Sequence, residues 1–219
     1  AFLEKHRGEN GLVEASAVEQ YNKMAADVQA LGAEIERLEQ QRVAMERQTE
    51  AQERLKRAAA EDAEAVLSVF RLTHAQTDYM LTYPDEGGKT AEEEGRYLQD
   101  LSESPNEIEI LAEVEGAVAG TAGISALGRW EKFRHRAQFG IGIDRAYWGL
   151  GIGRALLEAC IDCARQAGYA QLELDVVVEN TRAIALYEKL GFVVYGRNPL
   201  GFKPRRPGYQ ELLLMRLEL

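Results

Sequence analysis

Three glycines at alternate positions, in Tyr147-Trp148-Gly149-Leu150-Gly151-Ile152-Gly153-Arg154-Ala155-Leu156-Leu157, stand directly after a strand-like run and directly before a helix-like one. Glycines at a strand-to-helix turn let the backbone approach a ligand closely, and the first helical turn presents N–H groups that no helix carbonyl accepts. That combination suits a phosphate. A dinucleotide fingerprint needs Gly or Ala three residues after its second glycine, where this chain has Arg154 or Leu156. A nucleoside-triphosphate loop needs Gly-Lys followed by Ser or Thr, and the segment has no lysine. What is left is Gly-x-Gly opening a helix, which fits a phosphate cradle and glycines that merely punctuate a turn equally well.

A second element, Asn180-Thr181-Arg182-Ala183-Ile184-Ala185-Leu186-Tyr187-Glu188-Lys189-Leu190-Gly191-Phe192, begins with capping residue types and stops at a glycine suited to a left-handed cap. Seven residues are almost two helical turns, so Asn180, Ala183 and Tyr187 share a stripe along which a slender ligand can run. A lone tyrosine on an amphipathic helix fills a core just as readily.

Together with the strand-like run Gln171 to Glu179 between them, these two segments resemble the coenzyme-A-binding core of the GNAT superfamily of N-acetyltransferases, and the resemblance extends over about residues 53 to 219. It implies an α/β (α+β) fold with a mixed, mostly antiparallel central sheet flanked by helices, whose fourth and fifth strands splay apart around acetyl-CoA. By the same resemblance, backbone N–H groups of Gly149, Leu150, Gly151, Ile152, Gly153 and Arg154 hold the pyrophosphate. Ile141 to Ile143 pair with the pantetheine amides, and Asn180, with Ala183 beside it, meets the pantetheine arm. Tyr187 is the general acid for the departing thiolate, and an amine attacks the thioester directly, with a fourth-strand N–H at the oxyanion and no metal. The family often has Arg or Gln where Trp148 stands. Some members carry a basic Glu on the fourth strand; here the polar residues nearby are His135 and Gln138, and an amide cannot take a proton. The base is left open among His135, a water chain and a carboxylate elsewhere.

The formal net charge of −10 repels nucleic acid and is compatible with a cationic amine, of a small molecule or of a protein. No run of eighteen apolar residues is present, and Ala1 to Arg7 lacks the apolar stretch of a secretory signal, so no membrane partner and a cytoplasmic location are expected. Cys160 and Cys163 form C-x-x-C, half a zinc site at most, with His6, His74 and His135 at no ligand spacing, and they are read as packing residues.

Residues 1–50 read differently from 51–219. Tyr21, Met24, Val28, Leu31, Ile35 and Leu38 recur at spacings of three and four, a coiled-coil seam that Arg42 interrupts, and self-association to a homo-oligomer is expected through it. Phe2 to Leu12 and the helix after it also resemble the N-terminal Delta region of tailed-phage major capsid proteins. Downstream, the patterns predict a strand at 54–58, helices at 61–79 and 92–101, strands at 108–114, 118–124 and 138–143, a helix at 153–167, and strands at 172–178, 192–195 and 210–217. Asn198 to Gly208, with three prolines, is expected to be a lid loop, its Lys203, Arg205 and Arg206 serving an anionic substrate group or the coenzyme's ribose phosphate. The alternative to an acetyltransferase is an acyl-CoA-binding or assembly module whose working part is the coiled coil.

Overall fold

A computed structural model describes residues 2–7, 14–52, 55–86 and 88–219. The chain divides into two compact units, 1–46 and 47–219. Helix α1 (Phe2–Lys5) precedes the long helix α2 (Ala15–Gln52), whose residues up to Glu46 belong to the first unit. Its seam is solvent-facing in the single chain: Val28, Leu31 and Ile35 are 68%, 63% and 56% exposed. Residues 8–13, part of the segment likened to the phage Delta region, lie outside the described residues, as does Arg54 of the expected first strand. Among the described residues, no helix is long and apolar enough to cross a membrane.

Among the described residues, the second unit is built on seven strands in the order β1-β2-β3-β4-β5-β7-β6: β1 (Leu55–Arg57), β2 (Ile108–Val114), β3 (Ala117–Ala126), β4 (Arg136–Ile143), β5 (Gln171–Val177), β6 (Val193–Phe202) and β7 (Gln210–Glu218). Every neighbouring pair is antiparallel except β4 with β5. The helices are α3 (Ala63–Gln76), α4 (Ala91–Glu103), α5 (Ile152–Gln166) and α6 (Thr181–Lys189).

Side-chain alternation on β2 shows how the sheet is covered. Ile110 and Ala112 join the core under α5, whereas Leu111 between them packs with Val66, Leu98 and Leu101 of α3 and α4 on the opposite face. Local chemistry fixes the ends of these elements. The β2–β3 hairpin turns at Glu115 and Gly116, both at positive φ (52° and 81°), as a tight hairpin of right-handed twist requires. Thr90 and Glu93 cap α4 reciprocally, at 3.2 and 2.8 Å.

The expected lid shrinks. Asn198 to Phe202 continue β6 instead of forming a loop, with a register shift between Asn198 and Phe202. Pro199 is tolerated there because β6 is an edge strand, where a missing N–H breaks no ladder on the outer side.

Candidate active site

The site begins where β4 and β5 part. The two strands pair only through Arg136–Gln138 and Gln171–Glu173, although β4 continues to Ile143 and β5 to Val177. At the closed end the Arg136 guanidinium forms a two-pronged ion pair with Glu173, its Nη2 lying 2.7 Å from Oε2, and the Tyr195 hydroxyl donates to the same carboxylate at 3.1 Å. That guanidinium holds the Glu173 carboxyl below its ordinary range. At the open end, Asp144 N–H bonds Ala119 O on β3. Antiparallel alternation therefore turns the main-chain groups of Ile141 and Ile143 away from β3 and toward the gap.

The glycine turn closes the mouth of this gap. Gly149 and Gly151 hold φ of 85° and 84°, so the left-handed backbone falls on these two, and Gly151 is the N-cap of α5. Space at Gly153 is tight, since a Cβ there would lie 3.1 Å from Ile143 Cδ1 and 3.4 Å from Leu186 Cδ2. The Arg154 amide already donates to Gly151 O at 3.1 Å, and its side chain to Glu158 at 2.9 Å. Leu150 is exposed at the tip and Ile152 is buried in the core. Trp148, at the position where the family often has Arg or Gln, donates its indole N–H to Ile143 O at 2.8 Å. The Arg182 guanidinium stacks 4.9 Å from that indole and would stand 3.7 Å from a Cβ on Gly149.

Two cavities, of about 470 and 440 Å³, open along the gap. The smaller runs past the glycine turn, Arg182 and Ala183; the larger extends over β2 and β3 beneath α3 and α4. They share Thr73, Tyr79, Met80, Ile141, Gly142, Asn180 and Tyr187, so these residues mark the junction. Asn180 spends its side-chain oxygen on Ala183 N–H at 3.3 Å as the cap of α6, which leaves its amide N–H₂ for a ligand. Tyr187 is both things the sequence allowed. Its ring is 6% exposed and packs edge-on against Phe139 at 6.2 Å and near Phe192 at 5.9 Å, yet it lines both cavities. Burial holds its phenol above its ordinary pKa, so the hydroxyl keeps its proton.

The larger cavity carries carboxylates at Glu109 and Asp175, and among the described residues no lysine or arginine lines it. Burial pushes the Glu109 carboxyl up to about 7 and raises that of Asp175. His74 also lines it, buried, with Nδ1 2.7 Å from Phe70 O and its pKa lowered by that burial.

A family model described as "Acetyltransferase (GNAT) family" matches residues 72–192. The chain belongs to the GNAT family. The N-alpha-acetyltransferase RimI of Mycobacterium tuberculosis is 44% identical over 89 residues, 41% of this chain and 54% of that protein. The [ribosomal protein bS18]-alanine N-acetyltransferase of Escherichia coli K12 is 41% identical over 83 residues, 37% of this chain and 54% of its own length. The chain thus spans about half the length of these curated relatives. Among solved structures, an acetyltransferase of the GNAT family from Streptococcus pneumoniae superposes with a TM-score of 0.73 at 30% identity, covering 75% of this chain and 98% of that one.

Within this GNAT chain, Ile141, Ile143, Gly149, Gly151, Gly153, Arg154, Asn180, Ala183 and Tyr187 line one or both cavities, whereas Leu150 and Ile152 line neither. Other expectations change. His135 stands exposed at the closed end of the β4–β5 pair, where its carbonyl accepts from Ala170 and Gln171, and it lines neither cavity. Arg205 pairs with Asp85 at 2.8 Å and donates its amide N–H to the Tyr83 hydroxyl oxygen at 2.7 Å, while Arg206 pairs with Asp78 at 2.9 Å. These cations latch the 203–209 loop to the 78–86 loop instead of facing a substrate anion. Cys160 is fully buried in the core with its thiol pKa raised by burial, which agrees with the packing reading. Glu109, Arg182 and Asp175 escaped the sequence reading. For Glu109 a signal was present: a carboxylate within the strand Ile108-Glu109-Ile110-Leu111, where its neighbours are core residues.

Proposed function

We propose that this chain transfers an acetyl group from acetyl-CoA to a primary amine. The observation that carries this reading is the place of Tyr187, common to a cavity that passes the glycine turn and to a carboxylate-lined cavity on its other side. The coenzyme takes the first. Its pyrophosphate lies on the N–H groups of residues 149–153 with Arg182 alongside, and its pantetheine arm bonds the gap-facing groups of Ile141 and Ile143 and the Asn180 amide. The acceptor takes the second. Amine attack on the thioester carbonyl forms the C–N bond, a β4 amide N–H receives the oxyanion, and Tyr187 gives its proton to the sulfur as the C–S bond breaks.

The acceptor cavity favours an amine without a carboxylate close by. A free amino acid would bring an anion against Glu109 and Asp175 with no lining lysine or arginine among the described residues to receive it. A peptide N-terminus carries the same amine with an amide in that place. That the Escherichia coli relative is a [ribosomal protein bS18]-alanine N-acetyltransferase supports this choice. Thiol release from acetyl-CoA with an alanine-terminated peptide, set against free alanine, tests it; the peptide is expected to react at least ~10-fold faster.

The solvent-facing seam of α2, and the resemblance of the segment around it to a phage assembly region, support a separate role for residues 1–50 in self-association. A stripe this narrow gains most by facing another such stripe.

A further inference from the structure

An amine with an ordinary pKa arrives at the acceptor cavity protonated, and an ammonium has no lone pair with which to attack. Gln138 cannot accept the proton and His135 is remote from the cavity. The sheet itself supplies another group. Glu109 on β2, Gly123 on β3 and Gly140 on β4 form one transverse row, Glu109 opposite Gly123 and Gly123 opposite Gly140. Residues opposite one another point to the same face, so the row presents one side chain and two bare positions.

The Glu109 side chain uses that bareness. A Cβ on Gly123 would stand 2.3 Å from Glu109 Oε2, so the carboxylate already lies over β3, displaced from its own strand toward β4. A Cβ on Gly140 would meet nothing within 4 Å. The carboxylate and the open floor over Gly140 are therefore about one strand spacing apart, ~5 Å, and Gly140 adjoins Ile141 at the junction of the two cavities. An amine seated over Gly140 lies between Glu109 and the thioester.

Resting on the acetyltransfer reading above, we infer that Glu109 is the general base that takes the proton from the acceptor ammonium. One N–H proton passes to the Glu109 carboxylate and frees the lone pair. The lone pair forms the C–N bond, the C–S bond breaks, and sulfur takes the Tyr187 proton. The second proton lost from nitrogen restores Tyr187, and Glu109 releases its own to water.

The charged and titratable surroundings favour this use. Burial raises the Glu109 carboxyl to about 7, a hydrogen bond with Thr121 on β3 opposes the rise, Glu94 on α4 adds to it, and Lys89 opposes it. Lys89 is itself held by Glu94 at 2.9 Å and lies 3.8 Å over the Tyr97 ring. Tyr97 on α4 and Cys160 on α5 sense the same carboxylate, and His74, Tyr79, Asp175 and Tyr187 complete the cavity's titratable lining. A base poised near neutral pH is suited to the transfer.

The test is the pH profile of kcat/KM for the full chain with acetyl-CoA and an alanine-terminated peptide. For the parent, log kcat/KM is expected to rise through a limb near pH 7. Glu109→Gln should bind acetyl-CoA normally by calorimetry but be slower by ~10² or more at pH 6.5, the deficit narrowing toward pH 9 as the peptide amine, pKa about 8, loses its proton unaided. Thr121→Val, which removes the hydrogen bond that favours the carboxylate, should move the parent's limb to higher pH. A Glu109→Gln protein as fast as the parent at pH 6.5, a deficit constant from pH 6 to 9, or a limb unmoved by Thr121→Val would each overturn the role. A parent inert toward the peptide and toward other amines would instead sink the acetyltransfer reading, and the base with it.

Discussion

The indole nitrogen of Trp148 donates to the carbonyl oxygen of Ile143 at 2.8 Å, joining the glycine turn to the gap-facing edge of β4. The bond thus links the two surfaces expected to hold the coenzyme's phosphates and its pantetheine arm. Trp148→Phe keeps the ring under Arg182 but loses the donor. The expected result is a several-fold rise in the Kd for acetyl-CoA by calorimetry, roughly the worth of one net hydrogen bond. Unchanged affinity would show that the turn keeps its place without this bond.

Gly149 isolates backbone conformation from crowding. A Cβ there meets only the flexible end of Arg182, at 3.7 Å, but φ is 85°. Gly149→Ala should therefore cost on the order of 1 kcal/mol of stability from strain alone. Gly153→Asp adds a Cβ 3.1 Å from Ile143 Cδ1 and a negative charge at the cradle, and should abolish measurable acetyl-CoA binding while circular dichroism still reports a folded chain. Retained binding in Gly153→Asp would remove the cradle from the proposal.

Tyr187→Phe leaves the packing against Phe139 and Phe192 and deletes the hydroxyl. Turnover should fall by roughly one to three orders of magnitude with acetyl-CoA affinity and melting temperature nearly unchanged. Equal turnover would return Tyr187 to a purely structural role.

The ion pair at the closed end of the gap gives a pH-dependent stability with a definite sign. The folded state lowers the Glu173 pKa from 4.5, so the unfolded chain binds the proton more readily, and the stabilisation is present above about pH 4.5 and lost as pH falls through the folded value. Glu173→Gln should lower unfolding free energy at pH 7 by on the order of 2 kcal/mol, less than for a fully buried pair because the Arg136 side chain is 28% exposed. In urea titrations the gap between mutant and parent should close in strong acid. A gap that stays constant with pH would assign the loss to packing.

Residues 47–219 form a compact unit that contains both cavities. A chain beginning at Arg47 is expected to acetylate as the full chain does and to sediment as a smaller species. Lys at both Leu31 and Ile35 should reproduce the change in mass by placing charge in the seam. Loss of catalysis with the oligomeric state retained would contradict the separation of roles.

The sequence by itself determined whatever depends on neighbours along the chain. Gly149 and Gly151 could be read as a left-handed turn before a helix, Asn180 and Gly191 as the caps of a short one, and Glu115-Gly116 as a hairpin, because each is dictated by local backbone sterics. The extent of β6 was not legible, since Pro199 looks like a loop residue until the strand is known to be an edge. Only the tertiary structure decided which distant side chains share a cavity. It moved His135 to the closed end of the gap, tied Arg205 and Arg206 to Asp85 and Asp78, and laid Glu109 over Gly123 toward Gly140, because strand order and register bring together residues that no spacing relates.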